Sequence, residues 1–129
     1  MTTLVPKYDQ GATGAVNRNF NLKLSETVSV LDFGADSTGT TDSTTAFNNA
    51  IATGKRVYVP NGTYSVSNIA VVDNMVIEGE SRAATILTVN TNNTAVFYTS
   101  AIAGGISRVT NIRFSNFTMT AKAGVTGAR

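Results

Sequence analysis

The sequence predicts an all-β chain with one short capping helix, on three observations. Clusters of apolar and β-branched residues alternate with Asn, Gly, Ser and Asp along most of the 129 residues, which is the pattern of short strands joined by turns. Helical spacing stands out in one stretch, from about residue 43 to residue 53. Charged residues make up only 14% of the chain, too few to clothe the outer faces of many amphipathic helices.

Taken in order, residues 1–25 differ from the rest. Gln10 to Arg18 is rich in Gly and small residues and is expected to be extended or irregular. Phe20, Leu22 and Leu24 alternate with Asn21 and Lys23, which predicts a short strand with one buried face. Leu4, Val5, Pro6, Tyr8, Phe20, Leu22 and Leu24 have no core of their own, so this extended arm needs a partner to cover them. A mobile tail is the plain alternative for any terminus.

From residue 26 onward the elements become regular. Val28 to Val30 reads as a strand and is followed by a turn at Gly34. Asp42 is placed to cap a helix by accepting a bond from an unpaired backbone N–H, with Ser43 and Thr44 in the first turn. Ala46, Phe47, Ala50 and Ile51 then share one helical face, while Asn48, Asn49 and Ala52 lie elsewhere. Gly54 supplies the left-handed residue that ends such a helix. A lone helix with one apolar stripe must bury it against β-structure; in a solenoid it would cover the open first coil.

Pro60, Asn61 and Gly62 form a turn with a mechanism, because proline fixes its own φ and Asn-Gly tolerates positive φ. By spacing alone Val57 to Val66 reads as a β-hairpin. Further β-rich clusters follow at Ile69 to Val72, Met75 to Ile77, Thr85 to Val89, Ala95 to Tyr98 and Val109 to Met119. Strands at this spacing would equally build an antiparallel sandwich.

Several spaced motifs carry a more specific signal. Val28 to Val30, Asp32 to Ala35, Gly39 to Asp42, Ala46 with Phe47, Ala50 with Ile51, and Val57 to Tyr64 occur in the order found in pectate-lyase-like right-handed parallel β-helices. The block resembles the N-terminal cap and first coil of such proteins, known from bacteriophage tailspikes and polysaccharide-degrading enzymes. Val76 to Leu87 and Val109 to Met119 resemble further coils. The resemblance implies that Pro60 to Gly62 is a corner between two sheets of one coil. It also implies that residues 26–129 are the cap and first coils of the β-helix. With coils of roughly 20 to 25 residues, residues 57–120 make about three. The last residues lack the helix or polar strand of a terminal solenoid cap, so the chain reads as the front of a longer protein.

Composition excludes several functions. Ten basic against eight acidic residues, scattered, leave no electrostatic footprint for nucleic acid. No 18-residue apolar run predicts membrane insertion. With no His or Cys there is no Ser-His, Cys-His or zinc-thiolate constellation. Glu78 and Glu80 are a candidate carboxylate pair for glycoside hydrolysis, which needs two carboxyl groups about 5 to 9.5 Å apart across a sugar; neighbouring charges beside Gly79 read more simply as a solvated corner. Asp36, Thr38, Thr40 and Asp42 offer oxygen ligands but lack the Asp-x-Asp-x-Asp-Gly pattern, so turn and cap roles explain them. No catalytic residue, metal or cofactor is expected in this segment.

The resemblance implies the N-terminal part of a phage tailspike or tail fibre, located in the virion. It would be a homotrimer, bound to other tail proteins through the arm and to bacterial surface polysaccharide through regions outside this chain. A depolymerase whose catalytic coils lie beyond residue 129 is the enzymatic alternative, and a surface adhesin with a β-solenoid stalk is a third. Met1 to Lys7 lacks the basic and apolar regions of a signal peptide, which favours the virion reading. The residues expected to shape the cap and turns are Gly34, Asp42, Phe47, Ile51, Gly54, Pro60 and Gly62.

Overall fold

The computed structural model describes residues 6–99 and 108–128. The arm comprises β1 (Lys7–Tyr8), β2 (Arg18–Asn19) and α1 (Phe20–Leu24). The body follows as β3 (Thr27–Ser29), a 3-10 turn (Val30–Phe33), β4 (Thr38–Asp42), α2 (Thr44–Ala52), β5 (Arg56–Val59), β6 (Gly62–Val66), β7 (Ile69–Ala70), β8 (Val76–Gly79), β9 (Thr85–Val89), β10 (Phe97–Tyr98), β11 (Arg113–Ser115) and β12 (Thr118–Ala121).

Consecutive strands of the body enter different sheets. One sheet has the order β11-β8-β5-β3, a second has β12-β9-β6-β4, and β7 pairs with β10 in a third. All three are parallel. Parallel neighbours reached only after visiting another sheet are the topology of a β-helix, so the sandwich alternative is set aside. For the same reason Val57 to Val66 is a corner and not a hairpin: β5 pairs with β3 and β8, β6 with β4 and β9.

The register shows where the coils differ in length. Val57 pairs with Ile77, at the expected coil spacing, but Ile77 then pairs with Phe114. Both turns visit the third sheet, through β7 and β10, and the second is longer because the connections from β9 to β10 and from β10 to β11 take more residues than those from β6 to β7 and from β7 to β8. Corners are turned by left-handed asparagines: Asn68, Asn74, Asn93, Asn111 and Asn116 all have φ between 55° and 61°, a conformation whose cost asparagine bears better than most residues. Asn74 and Asn111 occupy equivalent places before the paired residues Val76 and Arg113, and Asn111 Nδ2 donates to Asn74 Oδ1 at 2.9 Å.

Alternate residues of each strand point inward, as the two-residue period demands. Val57, Val59, Tyr64, Val66, Ile69, Ile77 and Leu87 are fully buried. At the start of the stack, α2 places Ala46, Phe47, Ala50 and Ile51 over this core, and Val30 joins them from the 3-10 turn. The helix bounds lie within a residue of expectation. The capping detail differs: Ser43 is the N-cap residue but makes no side-chain cap bond, and Asp42 Oδ1 accepts from the Thr44 N–H at 2.9 Å. Ser43 Oγ instead accepts from the Asp36 N–H at 2.9 Å, so its hydroxyl ties the preceding loop.

Two further expectations are corrected. Phe20 to Leu24 is a short helix, not a strand: Asn19 accepts from the Leu22 N–H at 3.2 Å and caps it. Alternation over five residues also brings i and i+4 together on a helix, so the cap decides. The arm is consequently a hairpin closed by a helical turn, not a continuous extended segment. Asn48 lies off the apolar face of α2, and its Oδ1 accepts from the Ala70 N–H at 3.3 Å, joining α2 to β7.

Candidate docking arm and capped first coil

The arm is organised by local polar contacts. Glu26 Oε1 accepts from Arg18 Nη1 at 2.5 Å, and Glu26 Oε2 accepts from Lys23 Nζ at 2.6 Å. Hydrogen bonds from Lys23 and then Arg18 hold the Glu26 carboxyl below its ordinary value. Lys23 Nζ also lies 5.8 Å from the centre of the Tyr8 ring, within cation–π reach. The Phe20 N–H donates to the Pro6 carbonyl at 2.9 Å, joining α1 to the start of the arm.

These contacts order the backbone but bury no side chain of α1. Leu22 is 64% exposed, Leu24 61% and Phe20 38%. Val16, which sequence reasoning passed over inside a Gly-rich loop, is more exposed still. Val16 and Tyr8 border an open hollow of about 240 Å³ with Gln10, Gly14, Ala15, Arg18 and Lys23. Pro6 is exposed and Tyr8 half-buried; Leu4 and Val5 lie outside the described residues. The arm therefore presents apolar side chains on a frame of polar contacts.

Gly34 has φ 84° and closes the 3-10 turn, and Gly54 has φ 69° after α2. Gly62 has φ 151°, and a Cβ there would lie 2.7 Å from the Ser37 Cβ. Pro60 presents its carbonyl to the Tyr64 hydroxyl, which donates at 3.0 Å. Phe47 and Ile51 face the core.

The acidic candidates are engaged by their neighbours. Asp36 accepts from the Thr38 hydroxyl at 2.6 Å and N–H at 2.8 Å, the Thr41 N–H at 2.7 Å and hydroxyl at 3.0 Å, and the Thr40 N–H at 3.1 Å. Led by the Thr38 hydroxyl, these donors hold its carboxyl far below the usual range. Three of them are backbone groups of β4, the outermost strand of its sheet. Asp36 thus covers a free β-edge, a use of an acidic residue quite different from cation binding. Glu78 Oε2 accepts from Arg56 Nη1 at 3.2 Å, and Glu80 Oε2 accepts from the Asn61 N–H at 2.8 Å. Between them Gly79 faces inward, where a Cβ would collide with the Asn116 carbonyl oxygen. Its importance was invisible locally, because the residue it must admit belongs to the next coil.

Comparison with known proteins places this geometry in context. Residues 27–127 match the family described as rhamnogalacturonase A/epimerase, pectate lyase-like. The tail spike protein of an Escherichia phage is 43% identical over 63 residues, covering 49% of this chain and 8% of that protein. The pre-neck appendage protein of a Bacillus phage is 49% identical over 53 residues, covering 40% of this chain and 6% of that protein. The pre-mature gene product 12 of bacteriophage phi29 superposes with a TM-score of 0.61 at 31% identity, over 70% of this chain and 12% of its own. The chain thus spans under a tenth of the length of the curated relatives it matches.

Proposed function

Because the chain belongs to the rhamnogalacturonase A/epimerase, pectate lyase-like family, we propose that its β-helix is the front of a phage tailspike or related tail appendage. In this reading residues 1–25 are the virion anchor and residues 26–129 the cap and first coils. Similarity to a tail spike and a pre-neck appendage protein supports the virion location. The observation that carries the division of labour is the arm itself: an ordered hairpin and helix whose leucines stay exposed. Such apolar groups are suited to a partner surface, here other tail proteins. Three identical subunits about a threefold axis would bury further lateral surface in a closed cyclic arrangement.

Polysaccharide binding, and any cleavage of it, belongs in this proposal to parts of the parent beyond residue 129. The family name supports a depolymerase parent as the second reading, but Asp36, Glu78 and Glu80 are engaged by neighbouring groups of this segment. The test is deletion of residues 2–20, followed by measurement of copy number in assembled phage. Loss from virions with retained β-structure and oligomeric state is expected. Normal copy number would refute an anchor in residues 2–20 and move attachment into residues 21–129, where Leu22 and Leu24 remain.

A further inference from the structure

Asn61 is the one asparagine of the chain followed by glycine. Glycine offers no side chain to hinder attack by its backbone nitrogen, so this pair is chemically the most prone to cyclise. We propose that Asn61 and Gly62 form a self-modification site that the stacked first coil holds shut.

The reaction needs only water and base from solvent. The Gly62 nitrogen gives its proton to base and attacks Asn61 Cγ, the Cγ–Nδ2 bond breaks as Nδ2 takes up a proton from solvent, and ammonia leaves with a succinimide behind. Water then opens either carbonyl of the ring, giving aspartate or isoaspartate with release of a proton.

The attacking nitrogen and the side-chain amide that it must reach are both restrained. The Gly62 N–H, which must be lost, donates to the Ala84 carbonyl at 2.8 Å within the β6–β9 pairing. Asn61 Oδ1 accepts from the Thr85 hydroxyl at 3.2 Å, and Thr85 is fully buried. The Asn61 N–H is held by Glu80 at 2.8 Å. Gly62 is also wedged against the Ser37 backbone, so the peptide between the two residues cannot turn to bring nitrogen to Cγ while the coil is closed.

The product would keep the coil from closing again. Isoaspartate adds a methylene to the main chain just before the paired residues Gly62 and Thr85, shifting the strand that follows. Either product also sets a second carboxylate beside Glu80, and like charges at close range repel. Modification therefore records an opening of the first coil and makes it permanent.

The experiment incubates the intact chain at mildly alkaline pH, once folded and once in guanidinium, and separates Asn61, Asp and isoaspartate peptides by mass and retention. In guanidinium Asn61 should convert before any other asparagine. In the folded protein it should convert at least about tenfold more slowly, because only the open fraction reacts. Equal or faster conversion in the folded protein would overturn the proposal, as would another asparagine leading in guanidinium.

Discussion

The ring of Phe47 meets that of Tyr64 edge-on, with centroids 5.7 Å apart and planes at 76°. Both side chains are fully buried, and the contact joins the capping helix to the first complete coil. Edge-to-face geometry adds about 0.5 to 1.5 kcal/mol to the burial of the rings themselves. Phe47→Ala is therefore expected to cost about 3 to 5 kcal/mol, read by chemical denaturation. Asn49→Ala, on the exposed face of the same helix, should change stability by under about 0.5 kcal/mol. Tyr64→Phe isolates the hydroxyl bond to Pro60 and should cost about 1 kcal/mol. Equal losses for the Phe47 and Asn49 variants would refute the cap.

Gly79 and Gly54 should fail for different reasons. At Gly79 an added Cβ would meet the Asn116 carbonyl, a backbone atom that cannot swing aside, so Gly79→Ala should cost about 1 to 3 kcal/mol as an overpacked core does. Its effect should concentrate in the last coil, with hydrogen-exchange protection lost first around β11. Gly54 has open space but φ 69°, so Gly54→Ala should cost about 1 to 2 kcal/mol through the backbone alone, and Gly54→Asn should recover part of it.

How far the fold was legible follows from the range of each signal. Asp42, Ala46, Phe47, Ala50, Ile51 and Gly54 revealed α2 because capping and helical spacing act within a few residues. Pro60, Asn61 and Gly62 announced a turn, yet the choice between hairpin and corner depends on β3 and β9, which no local pattern names. The same limit hid Gly79, whose constraint comes from Asn116. In the arm, three alternating apolar residues fitted strand and helix alike, and it is the Asn19 side chain, capping the helix at the Leu22 N–H, that settles the matter. Asp36 was legible as a turn former, but its role at a strand edge required knowing that β4 is outermost.

Asp36 gives the fold a defined acid sensitivity. Its carboxyl is held far below the ordinary value of 3.8 by hydrogen bonds, the Thr38 hydroxyl first. A depressed folded-state value means that the unfolded chain binds the proton more readily, so stability rises with pH through this window. The contribution is complete above about pH 4 and declines as pH falls below the ordinary carboxylate value. Asp36→Asn should flatten that decline and lower the melting temperature at neutral pH. An unchanged acid limb of the stability profile in this variant would show that other carboxylates govern it. Uncovering the β4 edge should also increase association of the variant, visible by light scattering.

The final expectation separates docking from folding within the arm. Leu22 and Leu24 are mostly exposed on a helix that buries none of its residues, so replacing both with glutamine preserves helix propensity and removes only the apolar surface. The melting temperature and circular dichroism should therefore match the parent, with a stability change under about 0.5 kcal/mol. If the leucines enter a pocket on a tail protein, each loses roughly 1.5 to 3 kcal/mol of burial, enough for the pair to reduce incorporation into virions severely. Glu26→Gln makes the complementary change: it loosens the Arg18 and Lys23 contacts while leaving the leucines in place. Its incorporation should fall less, since a docking surface would remain and only its preorganisation would be lost. Full incorporation of the double leucine variant would place the anchor elsewhere, even if deletion of residues 2–20 abolished attachment.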